Sequence, residues 1–378
     1  MKTRVLVLGA GFGGLELCTA LSETFGDGID VTLVDKSDAF TFGYSKLDVM
    51  FGRNVLDAVR LPYAKLLKPG VHFRREEITA IDAEAKRVTT DRGTLEADHL
   101  VIALGADYDY AATPGMADAT EFYSVAGAAK LAGILPEFRA GRVVIGVAGT
   151  PFKCPPAPSE AALMMHDYLE QRGIRAACDI TLILPLPVPV PPSPEMSRAL
   201  LGALAGRGIR FVPDREIASV DMAAKCVVAD DGMQYEFDLF LGVPAHRAAK
   251  VLVDSGMTED GYVPVNPKTL ETRFPGVYAV GDCARQGTPK AGVFAEGAAR
   301  AVAETLTAKL RGEEAKLSHR GTGTCYIEFG GGKIGSVDID FFSHADGPKG
   351  VYHEPSIALA AKKEHFGSSR RARWFGLP

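Results

Sequence analysis

The chain has 378 residues, 47% of them apolar and 24% charged, which is enough to bury a large core and predicts a globular protein of two or three domains. The net charge of −5 gives no overall basic field, which argues against nucleic acid as a general partner. The six cysteines are scattered and show no CxxC or Cys/His spacing, so we expect a reducing compartment, no disulfide framework and no metal site.

The first predicted unit is a strand, a glycine-rich turn and a helix over residues 5–21. In the GxGxxG spacing the first glycine makes a tight turn, the second lets the backbone approach a pyrophosphate, and the third permits close helix packing. A second strand, residues 30–34, ends on a carboxylate that can accept the ribose hydroxyls of an adenosine. The cofactor-binding residues predicted from this unit are Gly9, Gly11, Gly14, Asp35 and Lys36.

The chain opens directly on this strand, without a leader-like pattern, and no apolar run approaches the roughly 20 residues of a membrane-spanning helix. We therefore expect a cytoplasmic protein. Residues 38–52 follow, where flavoproteins of this layout pass over the isoalloxazine edge, and they contain no cysteine for a thioether link. Alternating apolar segments over residues 73–96 predict an added small sheet, and a buried strand then returns to Gly105, another predicted cofactor contact.

A second unit begins with the apolar strand at residues 142–148 and continues through a proline-rich loop into a helix from residue 159. The loop, residues 149–158, carries Cys154 directly before three prolines in four positions, which fix the backbone and supply no N–H groups. A cysteine beside a helix N-terminus is favoured as the thiolate, the reactive form in sulfur chemistry. The alternative is a structural proline-rich turn with an incidental cysteine.

The dinucleotide fingerprint of this second unit is broken. Its second strand, residues 178–184, is followed by Pro185 where a ribose-binding acid would stand, which argues against an NAD(P)H-dependent reductase. The run at residues 185–194 is either a stiff connection or a cap over a pocket. His246, on a later loop, is either structural or substrate-facing.

A strand near residues 276–280 ends in Gly-Asp, which predicts a hydrogen bond from a ribityl hydroxyl to the aspartate. The long helix that follows would point its positive N-terminal end at the flavin pyrimidine and stabilise a reduced ring. Cys283 is assigned a packing role. The cofactor-binding residues predicted here are Gly281, Asp282, Lys290, Ala291 and Gly292.

The last 62 residues change character. A predicted hairpin over residues 321–342 carries Cys325 at the start of its first strand. The tail, residues 357–377, is basic with interleaved aromatic residues, which suits either a membrane interface or a C-terminal helix docked on the body.

These patterns together predict an α/β fold of two Rossmann-like, three-layer ββα dinucleotide-binding domains followed by a C-terminal β-hairpin and a helical tail. We place the first part of the FAD-binding domain at residues 1–110 and its second part at 251–316. The second Rossmann-like domain takes residues 111–250, and the C-terminal region takes 317–378.

The glycine fingerprint, residues 153–158 (KCPPAP), Gly281-Asp282-Cys283, Lys290-Ala-Gly and Thr324-Cys325-Tyr resemble the sulfide:quinone oxidoreductase and flavocytochrome c sulfide dehydrogenase flavoproteins over nearly the whole chain. The resemblance implies non-covalent FAD, sulfide and quinone as partners, and a redox pair formed by Cys154 and Cys325. Residues 107–140 hold no third cysteine, as in the two-cysteine branches. The missing flavin-linking cysteine and leader argue against the flavocytochrome subunit.

In the implied mechanism, hydrosulfide attacks a Cys154–Cys325 bridge, a cysteine sulfur best assigned to Cys325 attacks flavin C4a, and the electrons pass to a quinone. Lys290 would stabilise reduced flavin or reach the quinone, unless it is a plain surface lysine. Core packing is an equal explanation for the aromatic residues that could line a quinone pocket, which are Phe294, Tyr326, Phe329, Phe341 and Phe342.

Two other functions stay open at this stage. One is a type II NADH dehydrogenase-like reductase, disfavoured by the broken fingerprint. The other is a non-catalytic redox sensor in which the Cys154–Cys325 bridge switches a conformation. A dimer and peripheral contact with the inner face of the cell membrane through the tail are further expectations that the sequence leaves open.

Overall fold

The computed structural model describes residues 2–377. Its helices, in chain order, are α1 Phe12–Phe25, α2 Ser45–Met50, α3 Leu56–Val59, α4 Val125–Ile134, α5 Ala157–Gln171, α6 Pro194–Ala205, α7 Lys250–Asp254, α8 Gly292–Arg311 and α9 Ala358–Phe375. Its strands are β1 Thr3–Leu8, β2 Ile29–Asp35, β3 Ala39–Thr41, β4 Arg60–Pro62, β5 Val71–Arg75, β6 Ile78–Asp82, β7 Arg87–Thr90, β8 Gly93–Glu96, β9 His99–Ile102, β10 Ala106–Asp109, β11 Gly141–Val147, β12 Cys178–Ile183, β13 Ile209–Val212, β14 Ile217–Asp221, β15 Cys226–Ala229, β16 Gln234–Glu236, β17 Leu239–Val243, β18 Ala245–Ala248, β19 Val263–Pro264, β20 Val277–Ala279, β21 Ala284–Arg285, β22 Thr322–Glu328, β23 Ile334–Asp340 and β24 Lys349–Ser356.

The first large sheet is parallel and has the strand order β20-β9-β1-β2-β5. Its central strands β1 and β9 are buried and largely apolar because both faces of the sheet are covered, one by α1 and α8 and the other by the small sheet β6-β7-β8. Strand β20 comes from far along the chain and pairs with β9, so residues near 280 return to the sheet that holds the glycine-rich turn. The carboxyl ends of β1, β9 and β20 therefore lie side by side, where ligands of open α/β sheets bind.

The second large sheet is also parallel, with the order β13-β12-β11-β17. Helices α5 and α6 pack against it, and Leu163, Met164 and Met165 of α5 lie in its core. Each of the two units also carries a three-stranded antiparallel sheet, β6-β7-β8 in the first and β14-β15-β16 in the second. The α/β fold with two Rossmann-like units is confirmed.

The C-terminal region differs in detail from the predicted hairpin. Strands β22 and β23 form that hairpin, and β24 adds a third antiparallel strand that the alternating pattern of residues 349–356 did not reveal. The small-sheet prediction near residue 73 was also inexact, because β5 joins the main parallel sheet instead of the added one.

Helix α9 is docked on the body of the protein. Trp374 and Phe375 are buried, and Trp374 Nε1 donates to Glu16 of α1 over 2.8 Å. Arg373 also binds Glu16, with Nε 3.0 Å from Oε2. The sequence left two interpretations of the tail open. For Trp374 and Phe375, these contacts confirm that the helix is docked on the body of the protein. Within residues 2–377, no helix is both long enough and apolar enough to cross a bilayer.

Candidate functional site

The turn between β1 and α1 leaves room for a ligand at one glycine and packs tightly at the others. A Cβ on Gly14 would lie 1.9 Å from the carbonyl oxygen of Gly9, and a Cβ on Gly9 would lie 2.4 Å from that of Ala103. A Cβ on Gly11 would meet nothing within 4 Å. Gly11 is the N-cap of α1, where unpaired N–H groups attract a phosphate, so this turn can cradle a pyrophosphate.

The second predicted cofactor segment lies at the neighbouring strand end. Gly281 has φ +77°, a conformation that favours glycine, and Asp282 follows it beside the cavity. Lys290 is buried, donates to the carbonyl oxygen of Asp282 over 2.5 Å and lies 3.4 Å from the ring centre of Tyr262. Helix α8 begins at Gly292 without a side-chain cap, which leaves its first N–H groups free for a ligand.

These segments surround one cavity of about 390 Å³. Of the predicted site residues, those that line it are Gly11, Gly105, Cys154, Gly281, Asp282, Lys290, Ala291, Gly292 and Cys325. The cavity is also bounded by Phe40, Thr41, Gly43 and Tyr44, from the segment expected at the isoalloxazine edge. Open space at Gly11 and Gly105 and a carboxylate at Asp282 give this cavity the features of an FAD site.

Four predicted cofactor residues do not line the cavity. Gly9 and Gly14 act through close packing, as their contacts above show. Asp35 accepts hydrogen bonds from the backbone N–H groups of Ala10, over 2.7 Å, and Ser37, over 2.8 Å, so it braces the glycine-rich turn. Lys36 is exposed, and its carbonyl oxygen accepts a hydrogen bond from Arg75 over 3.3 Å.

The loop between β11 and α5 holds Cys154 in an unusual backbone conformation. Its φ is +50°, in the left-handed region that non-glycine residues rarely occupy and that is often found at functional sites. Its N–H donates to the carbonyl oxygen of Lys290 over 2.7 Å, and its own carbonyl oxygen accepts from Ala157 N over 2.9 Å. Cys154 is thus attached to the segment that begins α8, across the boundary between the two units.

The surroundings of Cys154 act against the predicted thiolate, which stays a prediction. Cys154 and Cys325 are both free thiols that face the cavity. Burial raises the pKa of Cys154, and the nearby carboxylate of Glu160 raises it further. Burial likewise raises the pKa of Cys325 to about 12. For Cys154, desolvation by the surrounding protein and the charge of Glu160 outweigh the opposing effect of Lys46, so the net shift of the pKa is upward.

Three lysines surround Cys154 and Asp282. Burial lowers the pKa of Lys46 to about 8 and that of Lys290 to about 8, and it also lowers the pKa of Lys153. Each lysine donates to one backbone carbonyl, that of Tyr123 for Lys46 and that of Ala106, over 2.9 Å, for Lys153. Lys46 escaped sequence reasoning because it belongs to no recognised motif, and Lys153 was given no role although it begins the KCPPAP segment.

Glu160 is the second site residue that sequence reasoning missed. It is buried on α5, lines the cavity with both cysteines, and accepts a hydrogen bond from Glu328 N over 2.9 Å. Burial raises its pKa to about 7. A glutamate on the apolar face of a predicted helix was the available signal.

A charged network leads from this carboxyl group towards solvent. Glu328 accepts from Lys363 Nζ over 2.7 Å and from Arg53 Nη1 over 2.7 Å. Burial lowers the pKa of Lys363, but the carboxylates of Glu160 and Glu328 outweigh it and the net shift is upward. Lys363 also lines the cavity. The charged side chains next to Glu160 therefore form a series that ends at the partly exposed Arg53.

Most of the aromatic residues named for a quinone pocket belong elsewhere. Phe294 and Phe329 are buried in the core, Phe341 packs on Phe294, and Phe342 packs on His319. Tyr326 alone among them lines the cavity, where its ring lies 6.1 Å from that of Phe366 on α9. His246 is buried behind the cavity between Tyr108 and Tyr123, and burial lowers its pKa to about 3.

Residues 3–299 match the sequence model of the pyridine nucleotide-disulphide oxidoreductase family, which is most of the chain. The protein belongs to this family. It is an FAD-dependent oxidoreductase family, and the membership agrees with the two nucleotide-binding folds and the glycine-rich turn.

Relatives of this oxidoreductase share much of its length. A sulfide-quinone reductase of Aquifex aeolicus is 26% identical over 367 residues, which cover 87% of this chain and 82% of that protein. A type II NADH:quinone oxidoreductase of Staphylococcus saprophyticus is 25% identical over 305 residues, covering 75% of this chain and 74% of that one.

A solved structure of the sulfide:quinone oxidoreductase of Aquifex aeolicus has the same fold. It superposes on 99% of this chain and 92% of its own, with a TM-score of 0.88 and 22% sequence identity. The likeness extends past the matched family region into the C-terminal sheet and α9.

Proposed function

We propose that the protein binds FAD non-covalently and oxidises sulfide to sulfur or polysulfide through Cys154 and Cys325, passing the electrons to a quinone. The observation that carries the proposal is that both cysteines face one cavity with the flavin-fingerprint residues Gly11, Gly281 and Asp282. The sulfide-quinone reductase of Aquifex aeolicus and a mitochondrial sulfide:quinone oxidoreductase of Schizosaccharomyces pombe, which is 25% identical over 268 residues, support the same donor and acceptor.

The sulfur chemistry would start from a disulfide between Cys154 and Cys325, which the two free thiols form by losing two protons and giving two electrons to the same acceptor that later steps use. Hydrosulfide attacks one sulfur, so one S–S bond forms, another breaks, and one cysteine becomes a persulfide while the other leaves as a thiolate. Joining the persulfide to the thiolate gives a trisulfide and releases two electrons and one proton. Bound FAD supplies a two-electron acceptor that a quinone can reoxidise, and the quinone takes up two electrons and two protons as quinol.

Side chains around the two cysteines would stabilise the charges that form during the sulfur chemistry and accept the proton that it releases. Lys46 and Lys153 hold positive charge beside Cys154, which favours the entry of an anionic sulfide and stabilises the thiolate that leaves. Glu160 ionises near neutral pH, so it can take the proton that persulfide joining releases and share it with the Lys363–Glu328 pair. Lys290 lies against Asp282, where it would stabilise negative charge on a reduced flavin.

For the quinone, the rings of Tyr44, Tyr326 and Phe366 offer flat surfaces on the cavity wall. The ring of Phe366 lies 6.5 Å from that of Tyr44. A quinone head between such rings would gain offset or edge contacts typical of aromatic pairs.

The Staphylococcus relative makes NADH the alternative donor. Several features of the second unit disfavour it. Pro155, Pro156 and Pro158 offer no N–H groups to a pyrophosphate. A Cβ on Gly149 would lie 3.9 Å from a side-chain oxygen of Glu216, so a carboxyl group already faces the loop where a pyrophosphate would bind.

The test is an anaerobic titration with sulfide that follows flavin absorbance in the wild type, Cys154→Ala and Cys325→Ala. Sulfide should bleach the wild-type flavin and leave both variants oxidised. Cys226→Ala, on the partly exposed strand β15, is the matched control and should behave as wild type.

An oxidised wild-type flavin under excess sulfide would refute the assignment, and bleaching by NADH instead would establish the alternative donor. Reduction by sulfide without steady-state turnover on a soluble quinone would favour a redox sensor over an enzyme.

A further inference from the structure

The C-terminal sheet presents two chemically different faces to the cavity. Its edge strand β22 lines the cavity through three consecutive residues, Thr324, Cys325 and Tyr326. Side chains alternate along a strand, so Cys325 lies on one face of the sheet and its two neighbours lie on the other. One face therefore meets the sulfur chemistry, and the other meets the rings proposed to hold the quinone.

The face that carries Thr324 also holds a polar side chain on each of the other two strands. Thr324 Oγ1 donates to Asp338 Oδ1 on β23 over 2.5 Å, and His353 Nε2 on β24 lies 2.8 Å from Asp338 Oδ2. Thr324 and Asp338 are direct partners in the register, and His353 stands opposite Ser336, two residues from Asp338. Antiparallel pairing thus aligns a hydroxyl, a carboxylate and an imidazole across the sheet, and we call these three side chains the sheet triad.

The two ends of the sheet triad lie in different surroundings. Thr324 is partly buried and lines the cavity, whereas the side chain of His353 is 46% exposed and that of Asp338 is 52% exposed. A proton can therefore enter from water at His353 and reach the cavity wall through two hydrogen bonds. Stability alone is a weak reason for this arrangement, because an exposed ion pair contributes little to it.

The groups around Asp338 favour its ionised form. Burial raises the pKa of Asp338, but hydrogen bonds from Thr324 and His353, the charge of His353 and that of Lys362 on α9 outweigh it, and the net shift is downward. An ionised carboxylate accepts from both neighbours at once, so it holds the hydroxyl and the imidazole in line. The charge of Asp338 adds to burial in raising the pKa of Tyr326, which keeps that phenol protonated.

The position of Thr324 suits contact with the acceptor. Thr324 and Tyr326 lie two residues apart on the same face, which is roughly 7 Å along a strand. The ring of Tyr326 lies 6.1 Å from that of Phe366 on α9. A quinone head held against these two rings would bring one carbonyl oxygen beside the Thr324 hydroxyl.

We infer that the sheet triad delivers a proton to the acceptor as it is reduced. The inference rests on the proposed function in taking that acceptor to be a quinone. The reduced quinone oxygen takes the proton of Thr324, the Thr324 oxygen takes one that passes from His353 through Asp338, and water returns one to His353. For each proton that leaves water, one O–H bond forms on the quinol, and its two electrons come from the reduced flavin. Thr324 touches the acceptor, and the other two side chains act through it.

The first test measures acceptor binding with the flavin oxidised, so that no electron transfer follows. In isothermal titration with 1,4-naphthoquinone, Thr324→Val removes the hydroxyl and should weaken binding about threefold to tenfold. Thr324→Ser keeps the hydroxyl and should bind like the wild type. Thr322→Val, at an exposed position of the same strand, is the matched control. Equal affinity of Thr324→Val and the wild type would overturn the contact between the hydroxyl and the acceptor.

The second test times proton delivery and needs no sulfide. The flavin is reduced by light, and its reoxidation is followed at saturating 1,4-naphthoquinone, so that weaker binding does not limit the rate. Thr324→Val and Asp338→Asn should each slow this step at least about tenfold, while Thr324→Ser stays close to the wild-type rate. Wild-type rates in both slowed variants would refute the inference.

His353→Ala separates proton delivery from a structural role in the sheet. The variant should reoxidise slowly, and added imidazole should restore most of the rate, because the missing ring stood at the exposed end of the sheet triad. His344→Ala, an exposed position in the loop between β23 and β24, should behave as wild type. A slow His353→Ala that imidazole does not restore would contradict proton delivery. Failure of sulfide to reduce the flavin would instead refute the sulfide donor, and these tests do not depend on it.

Discussion

The two parallel sheets each contain a strand, a turn and a helix in the same arrangement, but the two turns differ in what they can bind. The β1–α1 turn leaves open space at Gly11 in front of the free N–H groups of α1. The β11–α5 turn fills the same topological position with prolines and Cys154. The topology places both turns at the carboxyl ends of the strands. The residue types in each turn then decide whether it is suited to a phosphate or to a reactive sulfur.

The helices that follow these turns extend the contrast. Each carries a buried carboxyl group in its first two turns, Glu16 on α1 and Glu160 on α5. Burial raises the pKa of Glu16, but hydrogen bonds from Arg373, Trp374 and Arg300 outweigh it and the net shift is downward. Glu160 receives a backbone N–H, and its pKa is raised to about 7. The first carboxylate is therefore a fixed anchor for α9, and the second is free to exchange a proton.

Filling the β1–α1 turn with a side chain should have the strongest effect. Gly11→Leu puts a side chain into open space, so the chain should fold while FAD binding falls by at least about 100-fold, because the leucine occupies the path of the pyrophosphate. Flavin content after purification and the flavin dissociation constant measure the loss. Gly133→Leu, which also meets open space but lies on α4, is the control and should keep its flavin.

A thermal unfolding curve accompanies this measurement. If Gly11→Leu unfolded at the wild-type temperature and still bound FAD normally, the glycine-rich turn would not be the pyrophosphate site.

Removing the anchor charge on α1 should have the next largest effect. Glu16→Gln leaves Arg300 and Arg373 without their buried counter-charge, and we expect a loss of about 3 kcal/mol of stability at pH 7. Because the pKa of Glu16 is lowered in the folded protein, this contribution is present above the unfolded pKa and disappears as pH falls through the folded value. Denaturant unfolding at pH 7 and pH 3 checks both the size and the direction. An equal loss at both pH values would contradict the ionic role.

The matching change on α5 should act in the opposite direction. The pKa of Glu160 rises from an ordinary 4.5 to about 7, so burying its ionised form costs stability that grows as pH rises between these values. Glu160→Gln should therefore stabilise the protein by about 3 kcal/mol at pH 8 and by less than about 1 kcal/mol at pH 5. Denaturant unfolding measures the gain, and a destabilised variant at pH 8 would refute a neutral-pH proton holder.

The same variant has a kinetic signature. Proton acceptance by Glu160 requires its ionised form, so its contribution to flavin reduction by sulfide should increase as pH rises through about 7. Hydrogen sulfide also ionises near neutral pH. In Glu160→Gln, the rate of flavin reduction should therefore depend on pH only through the ionisation of the sulfide. Identical pH profiles for the wild type and Glu160→Gln would remove Glu160 from the reaction.

Local sequence patterns predicted the strands and helices of the two units better than the chemistry of the cavity between them. The glycine spacing and the apolar runs were enough to predict β1, α1, β2, β11 and β12, because these depend on nearest neighbours along the chain. The third C-terminal strand β24 escaped because its exposed, polar alternation resembles a loop. The docking of α9 depends on Glu16, some 350 residues earlier, and no local pattern contains that partner.

The environment of the Cys154 sulfur was missed for the same reason. The sequence places a cysteine before a helix, which favours the thiolate, but the desolvation of that sulfur depends on α2, α8 and β22 closing around it. Lys46 and Glu160 belong to the same cavity and were missed, since each sits inside an ordinary helix. The glycines and Asp282 were found because their motif is local, although their roles as cofactor contacts stay predictions.

The smallest predicted effect tests the charge around Cys154 directly. Lys46 lowers the pKa of Cys154 against the effect of burial, so Lys46→Met should reduce the thiolate fraction and slow alkylation of Cys154 by iodoacetamide about tenfold at pH 8. Mass spectrometry of the peptide that contains Cys154 reports the rate, and the exposed Lys65→Met is the control. The second turn lacks backbone N–H donors at its prolines, so a thiolate at Cys154 must be stabilised by charged side chains such as Lys46. An unchanged rate in Lys46→Met would mean that other groups, such as Lys153, supply that stabilisation.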